Sequence, residues 1–222
     1  MAERRIVVLI SGGGSNLQAL IDACNTPALP NARIVLVLSN RKAAYGLQRA
    51  QNAQPPIPTA YLALQPYLKT NPGKTREDYD AAVADIVLEG EPDVVVLAGW
   101  MHVLSERFLD VLAGRTTDRA SSSDAPAIPV INLHPALPGA FDGTHAIQRA
   151  HEAFLRGEIT KSGAMVHRVV KEVDRGAPVV VREVEMREGE DLDTFESRIH
   201  AAEWEIIVEA TRTVLDETKP TI

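Results

Sequence analysis

Asn132-Leu133-His134-Pro135 places a carboxamide and an imidazole two residues apart, directly after the apolar run Ile128-Pro129-Val130-Ile131. The run reads as a short buried strand, and on extended chain residues i and i+2 face the same side. Asn132 and His134 can therefore present an N–H donor and a titratable nitrogen to one small volume at a strand's carboxyl end. Such a pair suits a carbonyl under attack, because fixed donors aimed at the developing oxyanion stabilise the transition state. A third member is available in Glu172-Val173-Asp174-Arg175-Gly176. Asp174 is either a simple turn former or, if its turn folds over 132–135, the carboxylate that favours imidazolium and raises the His134 pKa.

A second feature is Ser11-Gly12-Gly13-Gly14-Ser15-Asn16. Glycines let backbone N–H groups approach an anion closely, and Ser15 or Asn16 can cap the helix that follows. The loop is either a phosphate cradle or a tight turn with an N-cap. Leu17 stands where a dinucleotide fingerprint has its third glycine, and the lysine of a P-loop is missing, so both of those sites are disfavoured. Gly99-Trp100-Met101-His102-Val103-Leu104 forms either the wall of a site for a flat heterocycle or ordinary core. His145, His151, His167 and His200 show neither H-E-x-x-H nor a cysteine partner, so no metal is expected. Glu203 and Trp204, near the C-terminus, face either solvent or core.

Positioning these residues requires strands alternating with helices, and the period along the chain alternates accordingly. Strands are expected at 5–10, 33–38 and 93–98, with a short extended stretch at 58–62. Helices are expected at 16–24, 43–52 and 76–89. The almost unbroken apolar run at 93–98 marks a strand buried on both faces. The pattern predicts an α/β fold with a doubly wound, mostly parallel sheet and a Rossmann-like N-terminal half. In such sheets ligands sit beyond the carboxyl ends of the strands, where 11–16, 99–104 and 132–135 all fall. A helix at 146–156 follows. The strands 162–170 and 177–186 then form a hairpin-like antiparallel pair before a long helix at 191–217. Residues 115–127 (RTTDRASSSDAPA) lack large apolar groups and read as a mobile surface insertion.

The 222 residues carry a net charge of −7, which argues against a broad nucleic-acid surface. One cysteine, Cys24, permits no intrachain disulfide and suits a reducing compartment. The start reads as a first strand and not as a signal peptide, and no run of about 18 apolar residues suggests a membrane span. A single cytoplasmic domain is expected, acting on small molecules. Its oligomeric state is left open.

VVLISGGGSNLQALIDA, DVVVLAGWMHVL, INLHPALPG and EVDRGAPVV together resemble the phosphoribosylglycinamide formyltransferases, folate-dependent enzymes of purine synthesis. The resemblance runs from Arg5 through the terminal helix. It implies the formyltransferase fold and the transfer of formyl from 10-formyltetrahydrofolate to the amine of N1-(5-phospho-D-ribosyl)glycinamide, without a metal. It also implies that Asn132, His134 and Asp174 are catalytic and that Gly12, Gly13, Gly14, Ser15 and Asn16 hold the substrate phosphate. Glu203 matches a substrate-binding glutamate. Arg76 matches an arginine near the folate tail, and Met101, His102, Val103 and Leu104 match a pterin-binding segment. Residues 1–104 would form the phosphate-binding half, 129–222 the catalytic and folate-binding half, and 115–128 the flexible insertion. His102 stands where bacterial members commonly carry Arg, and ALPGAFDG departs from the usual SLLP-x-x-x-G. The rival readings are a formyltetrahydrofolate hydrolase, whose relatives carry an N-terminal regulatory domain that this chain has no room for, and a non-catalytic folate- or nucleotide-binding module.

Overall fold

The computed structural model of the chain describes residues 3–115 and 127–218. Its first half alternates as β1 (Arg4–Ile10), α1 (Ser15–Ala23), β2 (Ala32–Ser39), α2 (Tyr45–Asn52) and β3 (Thr59–Tyr61). There follow α3 (Leu64–Thr70), α4 (Arg76–Glu89), β4 (Val94–Leu97) and α5 (Glu106–Leu112). The second half comprises β5 (Val130–His134), α6 (Ala146–Leu155), β6 (Lys161–Arg168), β7 (Pro178–Glu185) and α7 (Leu192–Glu217). The seven strands form one sheet in the order β3-β2-β1-β4-β5-β6-β7. Pairing is parallel from β3 through β5 and antiparallel for β5–β6 and β6–β7.

Alternation along β1 explains how one strand serves two cores. Ile6, Val8 and Ile10 pack with residues of α1 and α7, while Val7 and Leu9 pack with α4 and α5 on the opposite face. All five are fully buried, the condition for a central parallel strand. From β1 the chain crosses to β2 on one side and later to β4 on the other. That switch opens a crevice at the carboxyl ends of β1 and β4.

The structure alters several expectations. The strand expected before Asn132 runs on through His134, so the pair belongs to β5 itself and not to a loop beyond it. Pairing with β4 as far as Asn132, and with β6 as far as His134, extends the strand. Neither α3 nor α5 is anticipated by the periodicity. The first buries no residue and so leaves no apolar stripe; the second buries Phe108, Val111 and Leu112 but spans only seven residues. Most of the segment read as an insertion, 116–126, lies outside the described residues.

Helix α4 starts with reciprocal capping: the Thr75 side chain accepts from the Asp78 N–H at 3.2 Å, and Asp78 Oδ2 accepts from the Thr75 N–H at 2.8 Å. Thr75→Ala is expected to cost about 1 kcal/mol, read as a lower urea midpoint at unchanged slope.

Candidate active site

Ser11 closes the end of β1 onto the neighbouring loop. Its N–H donates to Gly99 O at 2.9 Å, while its Oγ accepts from the Met101 N–H at 2.8 Å and donates to Asn40 Oδ1 at 2.7 Å. The three glycines that follow are not equivalent. Gly14 has a positive φ of 72°, and a Cβ there would lie 2.7 Å from Gly46 Cα, so the fold itself demands glycine. Gly12 and Gly13 have neither constraint; nothing lies within 4 Å of a Cβ at either position. The cap also differs from expectation. The N-cap of α1 is Gly14, which has no side chain to cap with, and Ser15 and Asn16 already lie inside the first turn. Their N–H groups are among those that a helix cannot satisfy from within. The Asn16 amide instead donates to Glu203 Oε2 at 3.4 Å.

Antiparallel register brings the second cluster together. Asn132 on β5 lies directly opposite His167 on β6, so the two side chains share a face. Asn132 Nδ2 is 3.1 Å from His167 Nε2 and 3.2 Å from Asp174 Oδ1. Asp174 reaches His134 Nδ1 through its other oxygen at 3.5 Å, and that oxygen accepts from the Gly143 N–H at 3.0 Å. The turn that delivers Asp174 is tight. Asp174 itself has φ 54°, and a Cβ on Gly176 would fall 1.6 Å from Arg168 O, so only glycine allows the closure.

Proton positions follow from the acceptors. His167 Nδ1 lies 2.9 Å from Arg168 O, which can only accept, so Nδ1 carries hydrogen. With the ring neutral, Nε2 accepts from Asn132, and both amide hydrogens of Asn132 are committed. In that tautomer the expected free Asn132 donor is occupied. His167 Nε2 also lies 3.4 Å from Asp174 Oδ1. His167, set aside in the sequence as a metal-ligand candidate, is a fourth member of the cluster.

His134 also departs from expectation. Burial, the largest influence, pushes its pKa down, and the Asp174 charge, which pushes up, does not overcome it. The residue is 4% exposed, and Nε2 is buried with no hydrogen-bond partner among the described residues. Burial likewise pushes Asp174 up. Contact with His167, the hydrogen bond from the Gly143 N–H and the neighbouring His134 imidazole outweigh it and hold the carboxyl below its usual range. Glu203 has weaker company: the Asn16 amide at 3.4 Å and His200 Nε2 at 3.9 Å from Oε2. Burial raises its pKa to about 7 against the Asn16 bond that lowers it.

Ser15, Asn16, Asn132, His134, Asp174, His167 and Glu203 line one cavity of about 370 Å³, together with residues 99–104 and His200. Met101 and Val103 expose apolar side chains, whereas Trp100 and Leu104 are buried. His102 is tied through Nε2 to the fully buried Asp80 carboxylate at 2.7 Å. Arg76 does not line the cavity; it donates to the Val103 carbonyl from one side of the same segment. Among the described residues no three His, Cys, Asp or Glu side chains are grouped to hold a metal ion, and no helix is long and apolar enough to cross a membrane.

The sequence profile of the formyl transferase family matches residues 4–118 and 120–211. The chain belongs to the formyl transferase family. Phosphoribosylglycinamide formyltransferase of Schizosaccharomyces pombe is 47% identical over 216 residues, spanning 96% of this chain and 98% of the relative. The enzyme of that name from Saccharomyces cerevisiae is 45% identical, with the same coverage of both chains. Among solved structures, glycinamide ribonucleotide transformylase 1 from Symbiobacterium toebii superposes with a TM-score of 0.78 at 32% identity, covering 97% of this chain and 89% of that one. This formyl transferase therefore shares both the α/β fold and its length with those enzymes. The antiparallel β6–β7 pair that carries His167 and delivers Asp174 lies within the matched span.

Proposed function

We propose that this formyl transferase moves the formyl group of 10-formyltetrahydrofolate to the amine of N1-(5-phospho-D-ribosyl)glycinamide, releasing tetrahydrofolate and the N-formyl product in purine synthesis. The observation that carries the reading is the single cavity joining the start of α1 to the Asn132–His134–Asp174 cluster. Family membership supports a folate-derived formyl donor. The names of the most similar relatives support the amine. The continuous sheet supports reading residues 1–222 as one domain, with 1–104 and 129–222 as its two halves. The lone Cys24 suits a cytoplasmic enzyme.

The amine attacks the formyl carbon, and the carbonyl electrons move onto oxygen. His134, whose pKa burial pushes down, accepts the amine proton and becomes the cation that stabilises the oxyanion. Asp174 holds the ring by Nδ1 and balances its new charge. The tetrahedral intermediate collapses, the bond to N10 breaks, and that nitrogen takes up a proton as it leaves. No protein nucleophile is needed. The 99–104 segment walls the heterocycle, Arg76 lies toward the folate tail, and Glu203 binds the amine substrate.

Gly12 and Gly13 are free of packing constraint, which fits a ligand as the reason for glycine there. Gly13→Ala is expected to melt at the wild-type temperature while raising KM for the phosphorylated amine about tenfold; an unchanged KM would remove the loop from binding. The reading as a whole is tested by mixing purified protein and 10-formyltetrahydrofolate with and without the amine. Formyl transfer that requires the amine supports it. Formate release without the amine indicates a hydrolase, and binding without turnover indicates a non-catalytic module.

A further inference from the structure

The 12–16 loop lacks a lysine of its own, and the nearest answer to that deficit comes from α2. We infer that Arg49 is a positioning residue for the phosphate of the amine substrate: it turns the loop's carbonyl away from the anion and sets a positive charge behind the loop. The inference rests on the proposed function and adds to it a residue outside both the loop and the cavity wall.

The hydrogen bonds carry the argument. A loop that receives a phosphate must point N–H groups inward and carbonyl oxygens elsewhere, since an inward carbonyl repels the anion. Both relevant oxygens are held by α2. Gly12 O accepts from the Gly46 N–H at 3.1 Å, and Gly13 O accepts from Arg49 Nε at 2.8 Å. Arg49 Nη1 also donates to Gln18 Oε1 on α1 at 3.1 Å. One planar guanidinium thus links the loop to the helix whose first turn faces the cavity, a two-direction grip that a lysine ammonium matches poorly. Its carbon lies 5.1 Å from the centre of the Tyr45 ring, which steadies it further.

Charge provides the second observation. Every acceptor that Arg49 uses is neutral, and among the described residues no carboxylate pairs with it. Its charge is therefore not cancelled within the protein, although the side chain is partly buried. The chain as a whole carries 30 acidic and 23 basic residues, so its general field repels a phosphate dianion. A local cation against the loop reverses that field where the phosphate docks.

The test compares wild type, Arg49→Gln and Arg49→Lys with the phosphorylated amine and with its dephosphorylated riboside. Arg49→Gln is expected to raise KM for the phosphorylated amine about tenfold with kcat retained, and to leave kcat/KM for the riboside unchanged. Arg49→Lys keeps the charge without the two-direction grip and is expected to recover only part of the loss. Equal losses on both amines, equal losses in both variants, or no loss at all would overturn the inference. A second arm needs no turnover: inorganic phosphate is expected to raise the melting temperature of wild type more than that of Arg49→Gln. If wild type formylates neither amine, the functional reading fails, and this arm still decides. An equal phosphate-induced shift in the two proteins then counts against Arg49.

Discussion

Asp174→Asn is expected to lower turnover by about 10²–10⁴-fold, the range that one well-placed acid–base group supplies, while KM for both substrates changes little. The size follows from the position of Asp174 at the junction of the cluster. One oxygen faces Asn132 and His167, and the other faces His134 and the Gly143 N–H. An asparagine fills the space but cannot carry the charge. Its amide nitrogen also turns a donor toward groups that themselves donate. The pH profile makes the prediction specific. Burial pushes the His134 pKa down and the Asp174 charge pushes it up. Removing that charge leaves burial less opposed, so the acid limb of kcat/KM moves to lower pH in the variant. Turnover within threefold of wild type, or a limb displaced to higher pH, would take Asp174 out of the mechanism.

What could be read from sequence follows from how local each signal is. The strands of the parallel half are largely apolar runs, and α4 falls at 76–89, where the apolar spacing places it. Asn132, His134 and Asp174 could be named as candidates because an amide, an imidazole and a carboxylate beside strand and turn signals have few joint uses, and the fold does bring the three side chains together. His167 is not legible. What brings it to Asn132 is the β5–β6 register, which pairs residues 35 positions apart and leaves no trace in spacing. The direction of the His134 shift escaped for a related reason. A neighbouring carboxylate can be guessed from a motif, but the desolvation that outweighs it depends on how the whole sheet end is covered. Glu203 did leave a signal. It lies four residues after Ile199 and three before Ile206, so an acid occupies the apolar stripe of α7.

That acid has a measurable consequence: Glu203→Gln is expected to make the protein more stable and a poorer enzyme. Burial raises the folded-state pKa from 4.5 to about 7, with Glu196 adding to the rise and the Asn16 bond opposing it. Below the unfolded value both states are protonated and no stability is lost. Between that value and the folded one, the unfolded chain ionises while the native chain resists, so stability falls as pH rises. Above about pH 7 the loss is complete, at about 3 kcal/mol for a shift of this size. Glutamine keeps an oxygen for the Asn16 amide and never ionises. Urea denaturation is therefore expected to show the variant more stable by about 3 kcal/mol at pH 8, with the advantage shrinking steadily toward pH 4.5. The same change removes a carboxylate from the cavity, so KM for the phosphorylated amine rises. An ordinary core residue gives the opposite pattern, because a substitution that relieves it leaves substrate affinity alone. Stability gained together with substrate affinity lost is the signature of a buried acid retained for binding. An advantage independent of pH would show that Glu203 is not the group that titrates.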